Sequence, residues 1–393
     1  MRVAEIAASI ACVVACSAPN RGDVYVRAFA AAEAAESAGR FADAAARYDE
    51  AGSGAKVVRD RDHARYLAAR NLARSGNYAD AAARLRAIAL ASPPLEDSAE
   101  AANAIADMEI THGDGESARS ADRSTSADVG WSALLDVATR FPSDGVSRRA
   151  LRRYVAHEDD AHGAQASLDE LTRLTPSLDR TELGETVAYE IALHKAVLGD
   201  DAGARDAFLA VAAKWPYPHG AFWDDSLFRA SVLDQKLGRI DAAIADLERM
   251  LAERESSFFT GTYERPRYEP AMVRLCALAR DALHDRPRAR ACFDRLYTDF
   301  TTSELRDDAL WEESRLSRDD GDTNGACAKL ATLAHDFPDS RYVPCAAAEC
   351  PSIARPSKSG SPTECHAYIA RFRLGAADPE EPSKPEERGE PHK

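Results

Sequence analysis

The chain has 393 residues, 45% hydrophobic and 29% charged, which excludes a disordered polypeptide and leaves two or three globular domains or one repeat array. Fifty Lys and Arg against 65 Asp and Glu give a net charge of −15, which excludes a chain-wide nucleic-acid surface, because phosphate binding needs positive charge. No apolar run reaches about 18 residues, so no transmembrane helix is expected, and 7% aromatics with long alanine-rich stretches favour thin, closely packed helices.

Residues 1–15 read as an export signal, with Arg2 ahead of a short apolar run that ends in Val13-Val14-Ala15-Cys16-Ser17. This ending resembles the lipobox of bacterial lipoproteins. The resemblance implies that Cys16 receives diacylglycerol and becomes the new N-terminus, with 16–23 as a lipid-anchored linker. It implies an address in the bacterial cell envelope, at the periplasmic face of the outer membrane, with a soluble periplasmic protein as the alternative. A cytosolic chain with a misread start is the other alternative.

Farther on, Gly39-Arg-Phe-Ala-Asp-Ala44-Ala-Ala-Arg-Tyr48 reappears as Gly76-Asn-Tyr-Ala-Asp-Ala81-Ala-Ala-Arg-Leu85. Further copies begin at the anchors Asp159, Gly199, Gly238, His284 and Gly321. Five residues after each anchor stands a small residue, nine after a large apolar one, and twelve after another apolar one, which places one stripe on one helical face. Pro93, Pro176, Pro216 and Pro338 follow and are expected to end that helix. Seven before the anchor stand Ala32, Ala69, Ala192, Ser231, Ala277 and Ser314, small enough to let a preceding helix approach closely, with Arg152 as the exception. A third, interrupted copy is expected as helices over 98–110 and 129–140, with 113–128 a mobile insertion. A second long connection, 254–270, carries Phe258, Phe259, Tyr263 and Tyr268.

Two helices per unit with this glycine turn, A-x3-F spacing and terminal proline resemble the tetratricopeptide repeat. The resemblance covers 24–342. It implies an all-α, right-handed superhelical solenoid of about eight helix pairs over 24–349. A cysteine-pinned C-terminal cap over 350–375 is expected, with a helix at 363–374, and a disordered acidic, Pro-rich tail over 376–393.

Setting aside Cys12 and Cys16, six cysteines cluster late in the chain, which suits an oxidising compartment. Six allow fifteen pairings. Cys276 and Cys292 are centred on the turn at 284, and Cys327 and Cys345 on 336, so the expected bridges are 276–292, 327–345 and 350–365, the last from Cys350 to Cys365.

The sequence holds no P-loop lysine motif and no nucleophile elbow. His157 and His162 are five apart, where a zinc helix needs i, i+4, so neither metal nor cofactor is expected and the chain reads as a non-enzyme. The tetratricopeptide resemblance puts ligand binding on the first-helix face, counted thirteen, ten, six, three and two residues before each anchor. That face offers His63, Tyr66, Arg70, Arg74, Arg149 and Arg153. Later repeats offer Tyr189, Phe228, Lys236, Arg274, Trp311 and Arg315. The sets from repeats two and four contain no acid and would suit an anionic segment or a C-terminal carboxylate.

The junctions Phe337-Pro-Asp-Ser-Arg-Tyr342 and Asp307-Asp-Ala-Leu-Trp311 resemble those of envelope repeat proteins, among them the lipoprotein of the outer-membrane β-barrel assembly machinery and the periplasmic partner of the Tol–Pal system. The resemblance implies an interaction scaffold whose partners are protein or peptide segments, including outer-membrane assembly or cell-envelope components, with contact to the membrane through the lipid only and none to nucleic acid. A structural spacer for an envelope or peptidoglycan-associated complex, and a cytosolic adaptor, are the alternatives.

Overall fold

The computed structural model describes residues 20–112, 123–253 and 267–354. Seventeen helices and no strands occur among them. Eight antiparallel pairs run in chain order: α1 (Asp23–Ser37) with α2 (Phe41–Gly54), α3 (Val58–Arg74) with α4 (Tyr78–Ala89), α5 (Ser98–His112) with α6 (Arg123–Arg140), and α7 (Gly145–His162) with α8 (Ala164–Leu178). They continue as α9 (Gly184–Val197) with α10 (Asp201–Lys214), α11 (Trp223–Lys236) with α12 (Ile240–Ala252), α13 (Tyr268–Ala277) with α14 (Arg286–Asp299), and α15 (Arg306–Asp319) with α16 (Thr323–Asp336). A short α17 (Val343–Glu349) follows. The chain divides into two compact units, Met1–Val187 and Ala188–Lys393.

The repeat pattern is a burial pattern. Ala32, Ala69, Ala192, Ser231, Ala277 and Ser314 on the first helices are all buried. So is the second-helix stripe, for example Ala44-Tyr48-Ala51 on α2, Ala204-Phe208-Val211 on α10 and Ala326-Leu330-Leu333 on α16. A small residue on one helix therefore faces a large one on its partner, which brings the backbones close without a void. Between the helices of a pair the chain reverses through a left-handed residue, and glycine supplies it at 39, 76, 163, 199, 238 and 321. Asp144, Asp200, Asp285 and Asp322 cap the helices that follow them by accepting a backbone N–H.

The fourth repeat turns at Gly163 (φ 87°), not at Asp159. Counted from Gly163, the residue seven before is Ala156, which is small but exposed, so the buried small-residue position is not kept in this repeat. The stripe of α8 becomes Ser167, Leu171, Leu174 and Leu178, all buried, in place of Ala164 and Leu168. Pro176 lies inside α8 and does not end it, whereas Pro93, Pro216 and Pro338 do follow helix ends. In the third repeat α6 begins at Arg123, inside the segment expected as an insertion. Gly130 on α6 packs against α5, where a Cβ would stand 2.7 Å from the Ile110 nitrogen and 3.0 Å from the Ala106 oxygen. The rest of that insertion, the aromatic loop residues 258, 259 and 263, the cap helix, the tail and the whole leader with Cys16 lie outside the described residues.

Cys276 is bonded to Cys292, as the turn symmetry predicts, with Cα atoms 5.2 Å apart. Cys327 is bonded to Cys350 rather than Cys345. The reason is height. Cys327 lies nine residues (336 minus 327) before the end of α16, about 13 Å along its axis. Cys345 is only two residues into α17, whereas Cys350 follows its last turn and meets Cys327 at the matching level, Cα to Cα 5.7 Å. Residues 337–342 cross between the helices and contribute little to height, so symmetry about 336 in sequence is not symmetry in space. With Cys350 taken by Cys327, the expected 350–365 bridge does not form, and Cys345 is itself disulfide-bonded.

Residues 340–342 also explain the junction motif. Ser340 donates to Asp307 at 2.6 Å, Arg341 and Tyr342 both donate to Asp308, and the Trp311 ring stacks on Tyr342 with centroids 5.0 Å apart. At this junction the motif fastens α15 to the start of α17.

Candidate protein-binding groove

In the first unit α1, α2 and α3 enclose an open groove of about 560 Å³. Arg70 and Arg74 stand one helical turn apart on the same face of α3, with His63 two turns before Arg70. Across from them Phe29, Glu33 and Glu36 descend the facing side of α1, and Tyr48 enters from α2. Glu36 is the hub. Its carboxylate accepts from Arg70 at 2.8 Å, Arg74 at 2.5 Å, Asn71 at 3.2 Å and the Tyr48 hydroxyl at 3.0 Å. Partial burial works against its charge, but the Asn71, Arg70 and Tyr48 donors outweigh burial and hold the carboxyl below its ordinary value. The Arg74 guanidinium also lies 4.0 Å from the Phe41 ring centroid.

The upper wall is aromatic. Phe29 sits 5.2 Å from both Tyr25 and Tyr48 and 6.3 Å from His63, centroid to centroid. His63 Nδ1 lies 3.1 Å from the carboxylate oxygens of Asp97, and that hydrogen bond pushes the imidazole up against the opposing effect of burial. His63, Arg70 and Arg74 thus converge on one groove.

The basic charge expected on this face is largely offset by neighbouring repeats. Arg70 and Arg74 meet Glu36 of α1, Arg149 lies 3.7 Å from Glu100 of α5, and Arg153 pairs with Asp107 of α5. Repeats one and three present acids where repeats two and four present bases. The same count applied to repeat one picks out Phe29, Glu33, Glu36 and Ser37 at ten, six, three and two before Gly39. Sequence reasoning missed them because it took each repeat's face alone, although the signal was present.

In repeats two and five to eight the position ten before the anchor belongs to the core, whereas in repeat one it holds Phe29, which lines the groove. Tyr66, Tyr189, Phe228, Arg274 and Trp311 are each no more than 8% exposed. Tyr66 packs among Leu67, Ala68 and Leu85. Tyr189 donates to Asp225, accepts from Arg229 at 2.9 Å and stacks 4.3 Å from Phe222. Phe228 lies under the Arg267 guanidinium at 5.2 Å, and Arg274 donates to Gln235 at 2.6 Å. Lys236 pairs with Asp201 at 2.8 Å. Arg315 is exposed on α15 and forms no ion pair with another described residue.

No family model matches the chain, and no curated protein matches it. Solved structures similar to it include a Podosopora anserina protein of the kinesin light chain type with nearly identical TPR-like repeats, 15% identical, covering 51% of this chain and 97% of its own, TM-score 0.36. A monomeric mutant of IFIT1, solved with Gppp-AAAA, is 13% identical and covers 80% of this chain and 70% of its own, TM-score 0.31. At these scores the assignment of tetratricopeptide-like pairs rests on the chain's own turns, stripes and close helix contacts. Among the described residues no His, Cys, Asp and Glu group is arranged to hold a metal ion, and no helix is long and apolar enough to cross a membrane.

Proposed function

We propose that the chain is a non-enzymatic interaction scaffold of the bacterial cell envelope, lipid-anchored at Cys16, that binds protein segments in the first-unit groove. The observation that carries this reading is the Glu36 hub. It fixes two arginines beside an open aromatic wall before any partner arrives, which lowers the ordering cost of binding. Because Glu36 already engages both arginines, the fitting partner is a segment with one aromatic or aliphatic side chain for Phe29 and Leu67, flanked by polar groups, rather than a purely anionic one. A photo-crosslinker at Ser37, inside the groove, should capture discrete proteins in cells, and one at Glu50, exposed on α2, should not. Equal capture at both positions would overturn the groove reading. Acyl labelling lost in Cys16→Ala tests the anchor separately.

The alternative of a structural spacer draws on the offset charges, since a ladder of ion pairs between repeats stiffens an array whether or not anything binds. Retained crosslinking at Ser37 after deletion of 378–393 would count against it.

A further inference from the structure

Pair seven departs from the other pairs in three ways, all between Cys276 and Cys292. Its turn is formed by His284 at φ 53°, the sole non-glycine with a left-handed backbone among the described residues. Six other turns use glycine there, and a Cβ in that conformation is costly. Its first helix also widens at the end into a π turn, Leu278–Ala282. In the ordinary turns the residue after the anchor bonds five residues back, as in Arg40 to Ala35, Asn77 to Leu72 and Asp322 to Ser317. Here Asp285 bonds to Ala279, six back. One extra residue has been absorbed into the helix, which is what a π turn accommodates. The third departure is the disulfide: Cys276 and Cys292 lie eight residues on either side of His284 and tie α13 to α14 just beyond the widened turn.

The π turn also carries the link to the next repeat. Arg280 donates to Glu312 on α15 at 2.7 Å and lies over the Phe293 ring of α14. A change in the turn is therefore felt by the following first helix.

We propose that pair seven is a redox-locked joint. With the Cys276–Cys292 bond formed, the strained, widened turn is held closed. When a dithiol reductant supplies two electrons and two protons, the S–S bond becomes two thiols and the reductant becomes a disulfide. The turn over 278–285 then opens locally, the Arg280–Glu312 link loosens, and the pairs on either side stay folded.

The test is hydrogen exchange read by mass spectrometry on the full chain. The wild type is compared with Cys276→Ala/Cys292→Ala, which leaves the 327–350 bond intact, and with both backgrounds carrying His284→Gly. The double alanine variant should exchange at least tenfold faster over 278–285 while α12 and α16 are unchanged, and His284→Gly should recover most of that loss. Unchanged exchange over 278–285 would overturn the proposal. So would an equal rise throughout the second unit, which would make the bond a global staple, or a failure of His284→Gly to restore protection. Should the double variant not fold, the wild type against His284→Gly under graded dithiothreitol decides it. Opening that is local and weaker in His284→Gly supports the joint, and identical profiles refute it.

Discussion

Replacing Glu36 by alanine removes the acceptor for four donors at once. Arg70 and Arg74 are 42% and 45% exposed in their side chains, so each can turn to water, and losing those two bonds costs little. Tyr48 and Asn71 cannot turn away, being 2% and 0% exposed, although Asn71 Nδ2 keeps its second bond to the Leu67 carbonyl at 2.9 Å. Stranding a buried donor costs about 1–3 kcal/mol, and since the Tyr48 hydroxyl is the donor that loses its partner outright, a loss of about 1–3 kcal/mol is expected. For a unit of this size each kcal/mol moves the melting temperature by about 2–4 °C, and circular dichroism during thermal or urea unfolding reads the change. The acid limb supplies a second readout. Because the folded-state pKa of Glu36 is depressed, its contribution is present above the ordinary glutamate value and is lost as pH falls through the lower folded value. Glu36→Gln should erase that part of the acid dependence. A loss below about 0.5 kcal/mol in Glu36→Ala, with acid dependence unchanged in Glu36→Gln, would show that the hub is a surface pair and that the groove is not held in place by it.

Two further outcomes follow from the packing. Gly130→Ala should destabilise the first unit by about 1–3 kcal/mol, although alanine ordinarily favours a helix, because its Cβ would meet the α5 backbone at Ile110; a raised melting temperature would refute the close approach. Asp246 is pushed up to about 6 by burial and by Asp234 beside it, and its Oδ2 has no hydrogen-bond partner. A raised carboxyl favours the folded state while protonated. The second unit should therefore lose stability as pH rises from about 4 to about 6, by roughly 1 kcal/mol once partial exposure is allowed for, and Asp246→Asn should flatten that slope in urea titrations.

The helix pairs were legible because each repeat position has one physical job. Alanine at 32, 69 and 192 can do nothing but admit a neighbouring helix, and its spacing from the glycine turn fixes both elements. The errors came where a job is shared between repeats. Asp159 stood in for Gly163 because the fourth turn is one residue shorter before α8 begins, a shift that a fixed offset cannot absorb. Cys327 was matched to the wrong cysteine because a crossing segment adds residues without adding height. Tyr66, Phe228 and Trp311 were placed in a groove because large aromatics suit both ligands and cores, and only burial distinguishes them. Glu36 was passed over because its importance depends on Arg70, one repeat away.

Arrays of near-identical repeats have a characteristic failure, in which one repeat docks on the next but one and the chain folds with a unit skipped or exchanged with another molecule. In the first unit the alternation of acid and base along the first helices works against this. Docking pair one on pair three would set Glu33 and Glu36 against Glu100 and Asp107. Docking pair two on pair four would set Arg70 and Arg74 against Arg149 and Arg153. In the native order pair two meets the acids of pair one, and pair four those of pair three. The ion pairs are weak as stabilisers, but as a parity rule they make a skipped repeat repulsive and the native order attractive.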